Sequence, residues 1–391
     1  MKYNFDKVID RSGTSAEKVE GLKHIWGRTD LIPLWVADMD FATAPFVTDA
    51  IRKRCENEVL GYTGKPDSYY NAIINWVKQR YDLIVTKEVI NFVPGIVPGI
   101  GMAMNCFTQK GDKVMIQPPV YHPFAWVTTR NERTLVINPL RWENGMYRMD
   151  LDAFREQIKG CKLFILCNPH NPGGVVWTEA ELRAIADICY DEKVLVFSDE
   201  IHADLTLPPH THRPFATVSE KARMNSVTFM SPSKAFNMPG LSASHALIFN
   251  EDLRKRFRIY MDAGELDMGH VFAFLSVEAA YSHGTEWLDQ CLAYIQGNID
   301  FVDEFLKKHA PKIKAIRPEA SYLVWLDCRE LKLSQKDLNE FFVDKAHLAL
   351  NDGEMFGKEG IGFMRLNVAS PRCIIEKAMK QLADAYQLYI K

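Results

Sequence analysis

Ser231-Pro232-Ser233-Lys234-Ala235-Phe236-Asn237 follows the short apolar run Val227-Thr228-Phe229-Met230 and precedes Pro239-Gly240. A lysine flanked by small hydroxyl residues just past a strand is a candidate Schiff-base nucleophile. The hydroxyls can hold a phosphate, and partial burial brings an amine's pKa down toward a reactive value. Taken alone, the same residues also suit a surface lysine on a loop. Two further stretches weigh against that plainer reading. Cys167-Asn168-Pro169-His170-Asn171-Pro172-Gly173-Gly174 ends one apolar run, and Ser198-Asp199-Glu200-Ile201-His202 ends another.

Around these stretches the pattern alternates. Short β-rich runs are predicted at 89–93, 113–116, 134–137, 163–167, 194–198, 226–230 and 246–249, with helical segments between several of them. Leu163-Phe164-Ile165-Leu166 and Val194-Leu195-Val196-Phe197 are apolar throughout, which suits a sheet covered on both faces. Thr178-Glu179-Ala180-Glu181 is a capping box that opens a helix to about Asp191. Strands alternating with helices indicate an α/β fold with a mainly parallel sheet. Ligands in such sheets bind beyond the carboxyl ends of the strands. Asn171, Asp199 and Lys234 all lie there.

The ordered trio resembles the aminotransferase-like, fold-type I family of pyridoxal phosphate (PLP) enzymes, over nearly the whole chain. The resemblance implies that Lys234 bonds the cofactor covalently, that Asp199 pairs with the pyridine nitrogen, and that Asn171 bonds the ring's phenolic oxygen. PLP is an electron sink only while its ring nitrogen stays protonated, so a carboxylate is needed there. Pro94-Gly95-Ile96-Val97-Pro98-Gly99 follows a strand and opens a helix, where glycine and the helix N-terminus can receive an anion. The family comparison gives the amides of Ile96 and Val97 to the phosphate, along with the hydroxyl of Ser231. It gives Tyr121 a stacking role on the ring. His202, three residues past Asp199, can orient the aspartate or pack near the ring. Tyr62, in Gly61-Tyr62-Thr63-Gly64, matches a tyrosine that reaches the neighbouring subunit's phosphate, which implies a homodimer. Where many family members carry a phosphate-binding arginine, eight residues past the lysine, this chain has Ser242.

Arg365 stands in Phe363-Met364-Arg365-Leu366-Asn367 and matches the arginine that grips the substrate α-carboxylate. A planar fork suits that task. A buried charge in an apolar strand needs some partner, and a structural ion pair is the other way to supply one. Ala37 and Asn171 complete the implied substrate-binding set. His210-Thr211-His212 has a spacing compatible with a metal, but with few acidic or cysteine ligands near it the stretch reads as a solvated loop. No metal is expected.

The remaining chain divides into three parts. Residues 1–47 read as an irregular, aromatic arm ending in Leu34-Trp35-Val36-Ala37-Asp38-Met39-Asp40-Phe41. A large PLP-binding domain is expected over 48–285, with helices at 44–58 and 70–80, the second capped by Ser68. A helical stretch over 269–309 leads into a smaller α+β domain over 286–391, with strands at 313–316, 322–326 and 363–368 and helices at 335–346 and 371–389. In the resembled family the arm joins this small domain.

Composition narrows the class. The 391 residues are 47% hydrophobic and 25% charged with a net charge of −3, so no basic surplus points to nucleic acid or an anionic membrane. No apolar run approaches the ~20 residues of a membrane span. The first residues lack the apolar core of a signal peptide. Eight cysteines occur without a C-x-x-C pair, which fits reduced thiols in a cytoplasmic protein.

At a finer level the arm 34–41, Pro94–Gly99, Ser233-Lys234-Ala235-Phe236-Asn237 and Ser242 resemble the MalY/PatB-type C–S lyases, the cystathionine β-lyase group. The implied activity is β-elimination on L-cystathionine or related cysteine S-conjugates, giving thiol, pyruvate and ammonia. An aminotransferase for aromatic or branched amino acids would use the same residues. A binding protein that kept the fold is the third reading, against which the presence of Lys234, Asp199, Asn171 and Arg365 together argues.

Overall fold

Seven strands form the central sheet of the computed structural model, which describes residues 2–389. From edge to edge they run Ile90–Val93, Ser244–Leu247, Ser226–Met230, Leu195–Asp199, Cys161–Cys167, Lys113–Ile116 and Thr134–Ile137. All point the same way except Ser244–Leu247, which is antiparallel to both neighbours. The runs that are apolar throughout are apolar because both faces are covered. Leu163, Ile165 and Cys167 join one core beside the helices Ile96–Phe107 and Glu251–Ala263, while Phe164 and Leu166 join another beside Glu179–Asp191. Burying a leucine or phenylalanine on either side contributes about 1.5–3 kcal/mol.

Local chemistry sets the helices between the strands. Thr178 and Glu181 form the expected capping box: Thr178 Oγ1 accepts from the Glu181 amide at 3.2 Å, and Glu181 Oε2 accepts from the Thr178 amide at 2.8 Å. At the entry to Ile96–Phe107, Gly95 has φ +112°, a conformation that side chains disfavour. No side chain caps that helix.

A second, four-stranded antiparallel sheet orders Lys314–Ile316, Leu323–Asp327, Phe363–Asn367 and Asn351–Asp352. In it Arg365 lies between Trp325 on one strand and Asn351 on the other. The arm joins this part of the chain through the parallel pairs Ile32 with Leu348 and Pro33 with Ala349.

Several expectations need correction. The arm is not irregular throughout, since Glu17–Trp26 is a helix with Lys18, Gly21 and Leu22 buried. Ser68 caps nothing; its hydroxyl donates to Glu278 at 2.8 Å, and Pro66 stands at the cap of Asp67–Tyr81. The stretch 269–309 is two helices, Val271–His283 and Thr285–His309, divided at Gly284. A side chain there would meet the Ala280 carbonyl at 2.2 Å and the Phe236 ring at 2.3 Å. No described helix is long and apolar enough to cross a membrane.

Candidate active site

Beyond the carboxyl ends of the sheet lies a cavity of about 260 Å³, and Lys234 is on its wall with Ala37, Tyr121, Asn171, Asp199 and His202. Three consecutive sheet strands deliver the central groups. Asp199 is the last residue of its strand, while Asn171 and Lys234 follow theirs by one short turn. Pro94–Pro98 closes another side, so the uncapped first turn of Ile96–Phe107 faces the cavity. That turn offers free amides of Ile96 and Val97 to an anion.

Lys234 Nζ donates to the Ala37 carbonyl at 2.5 Å. Burial pushes its pKa down to about 8; Asp38 and Asp199 pull it back up, and Arg365 adds to the fall. Asp199 is buried too, and loss of solvent raises its carboxyl to about 7 against the lowering effect of the Ile201 amide. A buried carboxylate of this kind gains from a cationic N–H placed beside it, which would bring the pKa down again. His202 is held neutral, its pKa pushed down to about 3 by burial and by the charges of Lys234 and Arg365. Among the described residues no acidic group pairs with it to make it a proton donor.

Arg365 reaches the same place from the small sheet. Nη1 donates to Asn171 Oδ1 at 3.0 Å, and Nη2 donates to Asn351 Oδ1 at 2.5 Å and to the Trp35 carbonyl at 3.2 Å. The guanidinium also lies 4.8 Å from the Phe356 ring centre. All these partners are neutral, and Nε has none among the described residues. Burial lowers its pKa to about 10. The guanidinium is therefore a desolvated cation held by neutral oxygens, not half of an ion pair. A carboxylate is what it lacks.

The arm passes between these two groups and is gripped from both sides. Asn367 Nδ2 donates to the carbonyls of Val36 and Asp38 at 2.6 and 2.7 Å. Asn237 Nδ2 donates to those of Met39 and Phe41 at 2.9 and 2.7 Å, and its Oδ1 accepts from the Met39 amide. Ala37 is thus fixed with its carbonyl toward Lys234.

Two expected residues stand elsewhere. The Ser231 hydroxyl donates to the Ala243 carbonyl at 2.8 Å and accepts from the Ser233 amide at 3.1 Å, so it braces the lysine loop behind the wall. Ser233, Ser242 and Ser244 line the cavity instead. Tyr62 is 98% exposed and borders a different groove, formed by residues 60–65 and 267–271. His212 corrects the reading of 210–212 as a solvated loop: it is buried and its Nε2 is 2.7 Å from Glu200 Oε2. Among the described residues no cluster could hold a metal. Sequence reading also missed Asn351, Tyr322 and Cys167. Asn351 and Tyr322 lie on or beside small-sheet strands without a motif, and Cys167 looks like any strand-end apolar residue.

The donor set fits PLP. An amine, a carboxylate, a helix N-terminus and the Tyr121 ring border one cavity, and a side chain at Gly95 would have to adopt a disfavoured φ beside them. Comparison with known proteins agrees with this geometry. The family model described as aminotransferase class I and II matches residues 29–382. Cystathionine beta-lyase PatB of Bacillus subtilis is 38% identical over 98% of this chain and 99% of its own length. A PLP-bound putative aminotransferase from Clostridium difficile superposes with a TM-score of 0.96 at 40% identity, covering 98% of this chain and 100% of that one. A PLP-bound C–S lyase from Staphylococcus hominis does so with a TM-score of 0.91 at 36% identity, covering 98% of both.

Proposed function

The chain belongs to the aminotransferase class I and II family, and on that premise we propose that it is a PLP-dependent C–S lyase of the cystathionine β-lyase type. It performs β-elimination on L-cystathionine or related cysteine S-conjugates, giving thiol, pyruvate and ammonia. The observation that carries the reading is a buried amine near pKa 8 on the cavity wall, close to a buried guanidinium that bonds Asn171 of the same wall and has no anionic partner among the described residues. The likeness to PatB supports elimination over transamination.

When bound, PLP supplies a sink for the electron pair left as the Cα–H bond breaks. Around it the protein's groups divide the work. Arg365 takes the substrate α-carboxylate with its fork, and Asn171, already bonded to that fork, orients toward the ring. The amides of Ile96 and Val97 hold the phosphate, and Tyr121 flanks the ring as a flat wall. Asp199 keeps a proton on the ring nitrogen, because its buried carboxylate is stabilised by an N–H cation. Lys234 Nζ would hold the cofactor, and as a free amine it is the group placed to take the α-proton. An amine near pKa 8 is partly neutral at physiological pH, whereas one near 10.4 is almost wholly protonated. No other group around the cavity is suited to that step, His202 being held too acidic to keep a proton.

Product analysis tests the reaction type. With cystathionine as sole substrate, pyruvate, ammonia and thiol should appear in equal amounts without a keto-acid acceptor. Turnover that requires a keto acid and aminates it would make the protein an aminotransferase.

The active unit is a homodimer in this reading. Tyr62 is wholly exposed on a loop with Val59 and Leu60, also exposed, which suits a segment that completes a partner's site. Mixed dimers of Tyr62→Phe and Lys234→Ala chains should then regain activity at one site of two. Absence of recovery in verified mixed dimers would place Tyr62 outside the partner's site. The division into a large unit over 48–285 and a small one from 1–47 and 286–391 belongs to the same reading, supported by the break at Gly284 and the pairing of Ile32–Pro33 with Leu348–Ala349. A cytoplasmic location is supported by eight cysteines without a disulfide.

A further inference from the structure

Ala37 presents one carbonyl oxygen to two donors, Lys234 Nζ at 2.5 Å and the Tyr322 hydroxyl at 3.0 Å. Tyr322 is fully buried. Its hydroxyl stays protonated, since burial raises its pKa well above the usual phenol value and Asp38 adds to the rise. A carbonyl oxygen has two lone pairs, so both donors are served at once. They nevertheless share one acceptor, and each weakens the hold on the other.

We infer that Tyr322 is a positioning residue for the elimination: by bonding the Ala37 carbonyl it fixes where the free Lys234 amine rests and limits how tightly that oxygen holds an ammonium. The inference rests on the reading of Lys234 as the group that moves the α-proton. Tyr322 itself comes from the small sheet's side of the arm, so it acts through the carbonyl.

The sign of the effect follows from the shared acceptor. Without the hydroxyl, the whole acceptor strength of the Ala37 oxygen goes to Lys234. A charged donor gains more from this than a neutral one, so the amine keeps its proton to higher pH. Other charges near the amine are Asp38 and Asp199, which favour the ammonium, and Arg365, which opposes it; His202 faces it uncharged. Near Tyr322 the titratable or charged groups are Asp38, Asp40, Arg365 and Cys291, with the neutral His202 ring edge-on to it and Lys234 on the shared oxygen. Asp38 and Asp40 are in turn tied to Arg11 and Lys18. None of these changes when tyrosine becomes phenylalanine, so a shift reports the hydroxyl.

Tyr322→Phe holoenzyme should show kcat about tenfold lower at neutral pH with KM within about twofold, and an acid limb of the pH profile moved up by about half a unit or more. Replacing Tyr322 by 3,5-difluorotyrosine, a stronger donor of nearly the same shape, should move the limb down. A readout independent of turnover is the pH dependence of Lys234 carbamylation by cyanate in the full-length chain freed of PLP, followed by peptide mass mapping. It should shift in the same directions. Should the phenylalanine variant fail to fold, the fluorinated one decides. An unmoved limb and an unmoved cyanate titration, or shifts of one sign in both variants, would overturn the inference. If the lyase reading alone were wrong, the cyanate titration would still respond to the hydroxyl.

Discussion

Replacing Lys234 by alanine is expected to lower pyruvate and thiol release by at least about 10⁴-fold, since one side chain provides both covalent attachment and proton transfer. Lys234→Arg should be no better. A guanidinium keeps the charge and nearly the reach, but it cannot become neutral in a protein, so the comparison separates a base from a mere cation. In the unaltered enzyme the rate should rise as pH climbs through about 8, where burial sets the amine. Borohydride reduction and peptide mapping should find the pyridoxyl group on Lys234 and on no other lysine. Residual activity above about 1% in the alanine variant, far more than loss of such a group permits, would remove Lys234 from the role of base.

Arg365→Leu is expected to reduce kcat/KM by about 10²–10³-fold, mostly through KM, because a desolvated cation–carboxylate contact is worth several kcal/mol. Arg365→Lys should recover little of it, as a point charge cannot keep bonds to Asn171, Asn351 and a substrate carboxylate together. Stability should change less than catalysis. Three oxygens, those of Asn171, Asn351 and the Trp35 carbonyl, lose a donor, at about 1–3 kcal/mol each, but a buried charge with no counter-ion is lost as well. Steady-state kinetics beside thermal unfolding distinguish these effects. An unchanged KM in a folded leucine variant would mean that the carboxylate binds elsewhere.

The lysine, the aspartate and the asparagine were legible because each ends or closely follows a strand buried on both faces, and such runs stand out from surface segments. What escaped notice did so for equally physical reasons. Helix Glu17–Trp26 buries a lysine: Lys18 Nζ is 2.8 Å from Asp40 Oδ2 with no exposed side-chain surface. A residue type that marks solvent in a periodicity count was on the inner face. The break at Gly284 was invisible because a glycine inside a helical pattern is ordinarily tolerated; the Ala280 carbonyl and the ring of Phe236 together forbid a side chain there. His212 looked solvated amid Pro, Thr and His, but Glu200, twelve residues before it, is its buried partner. Tyr322 contributes through a hydrogen bond to Ala37, 285 residues away, and Asn351 through one to Arg365 on the neighbouring strand, 14 residues on; neither pair leaves a trace in the local sequence.

The double grip on the arm also fixes when, during synthesis, the cavity can exist. Val36 and Asp38 emerge early, whereas Asn367, which holds their carbonyls, lies 331 residues beyond the first of them. Arg365 reaches Trp35 across 330. Contacts so distant in sequence are made late, after the long intervening chain has been confined. The central sheet, complete by Leu247, is made up of strands already synthesised by then. A nascent chain that still lacks its last strand therefore carries Lys234 without the neighbour that seats Ala37 over it. Ribosome-bound or C-terminally shortened chains would hold Lys234 in an unfinished pocket, and competence for a substrate carboxylate would arrive only with Arg365 and Asn367.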